Sequence, residues 1–173
     1  GPSKRLKVKT ITSASGSGQM QPVPMNEFLQ QALKECYFDV ELEVIEWNAL
    51  FTNWRAGAKD PTSRGAHATN VTYAAMDPFF AMVRFSSSKT VAPTSNNWGY
   101  YTHPELDELI AKARTSFADA ERDAGLAKLH ARIVEDAPFL WVAHDVGPRA
   151  MSAKIKGFVQ PKTEWGEPDI SGV

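Results

Sequence analysis

Three stretches near the amino terminus constrain the fold more than any other part of the chain. Leu6-Lys7-Val8-Lys9-Thr10-Ile11 alternates apolar and polar residues, the period of a strand covered on one face. From Met25 to Cys36 the apolar residues Phe28, Leu29, Ala32, Leu33 and Cys36 recur at helical spacing, with Asn26, Glu27, Gln30, Gln31, Lys34 and Glu35 opposite. That pattern predicts an amphipathic helix with one buried stripe. Asp39 to Ile45 returns to period two, with Val40, Leu42 and Val44 on one face and Glu41 and Glu43 on the other. Strand, helix and strand in about 40 residues make a crossover unit, which sets the strands parallel and the helix on one face of the sheet.

The rest of the chain is read by the same rules. Thr12 to Pro24 is rich in Gly, Ser and Pro and reads as a loop at the end of the first strand, with Pro24 suited to a first helical turn. Asn48 to Ala56 carries Leu50, Phe51 and Trp54 as a helical stripe closed by Gly57. Lys59 to Gly65 is a polar turn, and His67 to Tyr73 is a less regular strand leading to Asp77-Pro78. Phe79 to Tyr101 reads as a loop whose aromatic residues need cover. A helix starts at Thr102-His103-Pro104-Glu105, either by a capping box or with Pro104 in its first turn, and Leu106, Leu109, Ile110 and Ala113 face inward. Asp119 opens another, with Leu126, Leu129, Ile133 and Val134 inward and its end before Pro138. Phe139 to Ala143 is apolar throughout, as in a strand buried on both faces. The Pro/Gly-rich segment that follows Val159 reads as cut rather than finished.

Length and charge narrow the function classes. A chain of 173 residues supports one core without staples, and the default is one domain. With 19 Lys+Arg against 20 Asp+Glu there is no basic excess to attract phosphate backbones, so no nucleic acid partner is expected. Cys36 has no partner in the chain, which excludes disulfide frameworks and paired-cysteine metal or redox motifs. Its place on the inward stripe predicts a buried, inert thiol. No apolar run is long enough to span a bilayer. Gly1-Pro2-Ser3 reads as the scar left by protease removal of a tag, which places the natural start elsewhere.

A search for reactive groups finds little. Gly16-Ser17-Gly18 sits between a strand and a helix, where nucleotide-binding loops lie, but it lacks a third glycine and any Lys-Ser/Thr pair. Glu46 stands where a ribose-binding acid would, yet the loop is too long for that motif. His67, His103, His130 and His144 lie in different elements and form no metal-binding spacing, so no metal or cofactor is expected. No serine occupies a nucleophile elbow. Tyr73 and Trp98 are the best aromatic candidates for stacking on a ligand, with core packing as the alternative for both.

An ordered set of segments resembles the extracellular solute-binding proteins of family 5, the peptide, nickel and opine receptors of ABC importers. The segments are Ser15-Gly16-Ser17-Gly18-Gln19-Met20 with Pro24 to Leu33, Val40 to Trp47, Trp54-Arg55-Ala56-Gly57-Ala58 and Met76-Asp77-Pro78. Tyr100 to Ile110, Glu121-Arg122, Glu135-Asp136-Ala137-Pro138 and Lys156-Gly157-Phe158 continue it in the family's order. The resemblance implies an α/β, type II periplasmic-binding-protein-like lobe, a mixed but mostly parallel sheet with helices on both faces. It further implies that residues 4–160 are an isolated second lobe and that 161–173 cross toward a missing first lobe. The family's proteins are about three times this length.

By that resemblance the chain is a non-enzymatic, periplasmic or extracellular component that closes by hinge motion over a small-molecule or peptide-like solute and is read by an importer permease. This lobe's half of the site is expected at Asn70, Thr72, Tyr73, Asp77 and Trp98, with Gln19 and Met20 as further members. Asp77 serves equally well as a turn-forming residue before Pro78. Two positions depart from the family: Tyr37 stands where a glycine usually ends the first helix, and Ala74 where peptide receptors place an acid for the peptide's amino terminus. Two rival readings are an enzyme with a nucleotide or acyl substrate at the Gly16 loop and a stand-alone protein-interaction domain using its exposed apolar loop.

Overall fold

The computed structural model describes residues 4–73, 77–143 and 151–157. The first strand, β1, is Leu6–Ser13 and leads through the Gly/Ser loop into α1, Pro22–Glu35. The helix begins before Met25 because both Pro22 and Pro24 fit its first turn, where a missing N–H leaves no bond unmade. It ends at Cys36, and Tyr37 takes the left-handed conformation at φ 64° that glycine usually supplies. Tyr37 stays in place because its N–H donates to Lys34 O at 3.2 Å and its carbonyl accepts from Leu6 N at 3.0 Å, so the turn is tied to β1.

The second strand, β2, is Phe38–Ile45 and lies parallel to β1 in register from Leu6 opposite Phe38 to Ser13 opposite Ile45. Then α2, Trp47–Ala56, starts at a cap in which the Glu46 carboxylate accepts from the N–H groups of Asn48 and Ala49. Glu46 is therefore a helix cap. A 3₁₀ turn at Pro61–Ser63 precedes β3, which is only Ala68–Thr69 and pairs parallel with Thr10 and Ile11 of β1. The strand expected over His67 to Tyr73 is thus two residues long, and past Thr69 the chain leaves the sheet.

Strand order is β2-β1-β3. The chain moves one way from β1 to β2 and back across β1 to β3, so right-handed crossovers put α1 and α2 on opposite faces. Across the sheet Lys9 Nζ reaches Glu43 Oε2 at 2.7 Å and Arg64 Nη1 reaches Glu43 Oε1 at 2.5 Å. The hydrogen bonds from Lys9 and then Arg64 hold the Glu43 carboxyl below its ordinary range.

The loop expected from Phe79 to Tyr101 contains a helix. α3 spans Pro78–Ser86, capped by the Asp77 carboxylate, which accepts from Phe80 N at 2.8 Å. Met82, Val83 and Ser86 are its inward positions. The serine run and dense aromatics mask this stripe in the sequence. A 3₁₀ turn at Ser88–Thr90 follows, then α4, Pro104–Thr115, with Pro104 in its first turn and His103 rather than Thr102 as the cap. α5 spans Asp119–Asp136 and ends at Ala137, φ 48°, just before Pro138.

Among the described residues two apolar clusters result. Ile11, Leu50, Trp54, Ala66 and Trp98 pack the sheet against α2. Met82, Val83, Leu106, Ile110, Ala113, Leu126, Leu129 and Ile133 fill the space among α3, α4 and α5. Phe85 joins them, its ring centroid 6.5 Å from Trp54 on one side and 6.0 Å from Phe139 on the other.

Three expectations are corrected here. Phe139 to Ala143 forms no strand: Phe139 packs on the helical cluster, while Leu140 and Trp141 are more than half exposed. Among the described residues no neighbouring strand offers this segment a ladder. Cys36 is exposed, not buried. The inward side of α1 holds Pro22 and Asn26, while Phe28 is 69% exposed, so the helix is rotated relative to its apolar stripe.

Candidate functional site

In an open α/β sheet the ligand crevice lies outside the carboxyl ends of the strands, where successive crossovers diverge. Here that place is set by β1, which sends the chain to β2 on one side and has β3 on the other. The carboxyl end of β1 is Thr12 and Ser13, both fully buried, and the loop from Ala14 to Gln21 lies directly beyond it.

A directional chain of side-chain hydrogen bonds organises this end of the sheet. Ser17 Oγ donates to Gln19 Oε1 at 3.3 Å, and Gln19 Nε2 donates to Asn70 Oδ1 at 2.7 Å. Asn70 Nδ2 donates to Asn26 Oδ1 at 3.0 Å, and Asn26 Nδ2 donates to Thr12 Oγ1 at 3.2 Å and to Pro22 O at 2.7 Å. This explains the rotation of α1. Burying Asn26 lets one amide tie α1 to the end of β1 and to the chain leaving β3, and a buried amide is tolerated when its donors and acceptors are used.

The loop's glycines are shaped by packing. Gly16 has φ +84°, and a Cβ there would lie 2.4 Å from Trp47 Cγ. The close approach that requires glycine is therefore to an indole, which fills the space a phosphate would need in the nucleotide reading of this loop. Gly18, at φ +81°, passes Thr72, whose Cγ2 would be 3.6 Å from an added Cβ.

Among the residues expected at the site, Gln19 and Asn70 are bonded to each other, and Thr72 and Tyr73 continue from Asn70 past the same loop, all half-buried. Met20 projects from the loop at 79% exposure. Asp77 is exposed and caps α3. Trp98 is 8% exposed within the sheet core, and its indole N–H donates to Asn53 Oδ1 at 3.0 Å, so the packing alternative describes where it sits.

Sequence reasoning misses Asn26 and Thr12, and also Arg84, whose Nε donates to Asn96 Oδ1 at 2.5 Å and whose Nη1 donates to the Tyr73 hydroxyl. Periodicity puts Asn26 on the solvent face of its helix, and Arg84 falls in a segment that reads as loop. The spacing of Phe80 and Arg84 after an Asp-Pro helix start is the signal that would find the second. Elsewhere, a shallow cleft of about 340 Å³ lined by Ser88, Thr102, His103, Pro104 and Asp107 opens at the start of α4. Its Asp107 carboxylate already accepts from Ser87 Oγ and Ser88 N. Among the described residues no group of three or more His, Cys, Asp or Glu side chains is placed to hold a metal ion.

This fold is that of a periplasmic-binding-protein-like lobe, and comparison with solved structures bears that out. The dipeptide-binding protein of Pseudoalteromonas sp. SM9913, solved with Met-Leu, superposes with a TM-score of 0.64 at 19% identity over 80% of this chain and 26% of that one. The periplasmic binding protein DppA of Helicobacter pylori, in complex with the peptide STSA, gives 0.62 at 23% identity over 78% and 25%. NikZ of Campylobacter jejuni, in complex with Ni(L-His), gives 0.61 at 16% over 79% and 26%. These are family 5 solute-binding proteins, so the resemblance seen in the ordered segments is a likeness of fold. The chain spans about a quarter of the length of these structures. No protein-family model and no curated protein sequence matches it.

Proposed function

We propose that this chain is a lobe of the substrate-binding component of an ABC importer, contributing one wall of a cleft that closes by hinge motion over a solute. The observation that carries the reading is the bonded polar cluster of Gln19, Asn70 and Asn26 at the carboxyl ends of β1 and β3, on a fold shared with solute-binding proteins. In this reading residues 4–160 are the lobe, the crossover assigned to 161–173 lies outside the described residues, and the protein works in the periplasm or outside the cell without catalysing a reaction. The closed form presents both lobes to the permease, and the solute, small or peptide-like, lies against Gln19, Asn70, Thr72 and Tyr73. Asp77 and Trp98 hold the wall in shape from behind, and Met20 lies at its edge.

Backbone amide shifts of the isotope-labelled chain during titration with Met-Leu test the placing of the wall. Shifts clustered at Gln19, Asn70, Thr72 and Tyr73 are expected. Shifts confined to α4 and α5 would contradict it.

A further inference from the structure

Beside the chain that leaves β3, Arg84 of α3 is held on several sides. Its Nη1 donates to the Tyr73 hydroxyl, and its Nε donates to Asn96 Oδ1 at 2.5 Å. Its guanidinium carbon lies 4.7 Å from the Tyr73 ring centroid and 5.4 Å from that of Phe80. Among the described residues no carboxylate lies within ion-pair distance of Arg84, whereas Arg64 has one and Arg122 and Arg132 have two each. Arg55 and Arg114 also lack a carboxylate, each lying over a single phenylalanine ring, and so does Arg5, an exposed side chain that donates to the Lys34 and Phe38 carbonyls. Arg84 is thus a fixed, half-buried cation whose own fold supplies orientation without charge compensation.

A guanidinium has five N–H donors in a planar fork that matches a carboxylate with two parallel bonds. The contacts to Tyr73 and Asn96 use two of the five. Immobilising the fork before binding removes the entropy a free arginine side chain would lose on capture. A phenol that accepts a bond also retains a proton to donate. We propose that Arg84 is the anchor for a carboxylate of the solute, so that the cleft takes organic acids or solutes bearing a free carboxylate. This rests on the reading of the chain as one wall of a solute cleft, and it names the chemistry that wall selects.

The test uses the 173-residue chain with N-acetyl-L-alanine as the carboxylate probe and N-acetyl-L-alaninamide as its neutral counterpart. Binding is followed by the Arg84 Nε–Hε signal and by the amide signals of Tyr73, Asn96, Gln19 and Asn70. The carboxylate is expected to move the Arg84, Tyr73 and Asn96 signals saturably, with the amide bound about tenfold more weakly. Arg84→Gln should abolish the difference between the probes, and Arg84→Lys, which keeps charge without the fork, should retain part of it. Equal binding of both probes to the unaltered chain, or an unmoved Arg84 signal, overturns the proposal without reference to any variant. If Gln19 and Asn70 respond equally to both probes while Arg84 stays still, the anchor is wrong and the cleft stands. If neither set responds, both fall.

Discussion

Asn70 and Asn26 stand 44 residues apart in the chain and meet through a 3.0 Å hydrogen bond from Asn70 Nδ2 to Asn26 Oδ1. That bond couples the segment leaving β3 to the first turns of α1, and through Thr12 to the end of β1. Three elements whose loops would otherwise move independently therefore present one surface.

Asn26→Ala should cost about 1–3 kcal/mol, because it leaves Thr12, Asn70 and the Pro22 carbonyl without their buried partner. Phe28→Ser, two residues along the same helix but on its exposed side, should change stability by less than about 0.5 kcal/mol. Urea unfolding midpoints check both. The opposite ranking would mean that α1 packs by its apolar stripe.

Gly16→Ala should destabilise the chain by more than Gly65→Ala. Both glycines have positive φ, +84° and +74°, so both substitutions carry the left-handed strain of about 1–2 kcal/mol. Only Gly16 has an indole in the way, whereas Gly65 has nothing within 4 Å of an added Cβ. A shifted tryptophan emission in Gly16→Ala alone would report the displaced Trp47.

Alkaline titration should reveal Tyr101. Burial, followed by its 2.7 Å hydrogen bond to Asp136 Oδ2, pushes its pKa up to about 12. The group favours its neutral form when folded, so its contribution to stability is complete below the ordinary tyrosine pKa of about 10 and is lost as pH rises through about 12. Asp136 has the opposite sign. The Tyr101 hydrogen bond holds its carboxyl down, so its contribution is present above the ordinary aspartate value and is lost as pH falls through the lowered one. Tyr101→Phe should remove the late phenolate absorbance step and bring the Asp136 titration, followed by carboxyl NMR shifts, back toward the ordinary range.

Much of this fold is legible in the sequence because local signals agree with long-range packing. The two strands, the crossover helix, the Pro104 helix start and the stop before Pro138 all follow from period and caps. The failures have a common cause. Periodicity shows that a helix has an apolar side but not which side its neighbour demands, and in α1 the bonding needs of Thr12 and Asn70 outweigh Phe28. In α3 the Asp77-Pro78 start is visible, but the serine run hides the stripe of Met82, Val83 and Ser86. Phe139 to Ala143 carries the composition of a buried strand without a described neighbour to pair with. In the proposed wall, the sequence places Gln19, Asn70, Thr72 and Tyr73 after strands, and the fold joins Gln19 to Asn70, whereas the contacts of Arg84 with Asn96 and Tyr73 arise only in the folded chain.

The claim that this chain is one wall of a two-lobed cleft is tested most directly by calorimetric titration of the 173-residue chain with dipeptides, metal–histidine complexes and organic acids. With one wall the solute keeps half its surface in water, and binding on the order of millimolar or weaker is predicted. Submicromolar affinity of the chain by itself for any of these solutes would contradict the account.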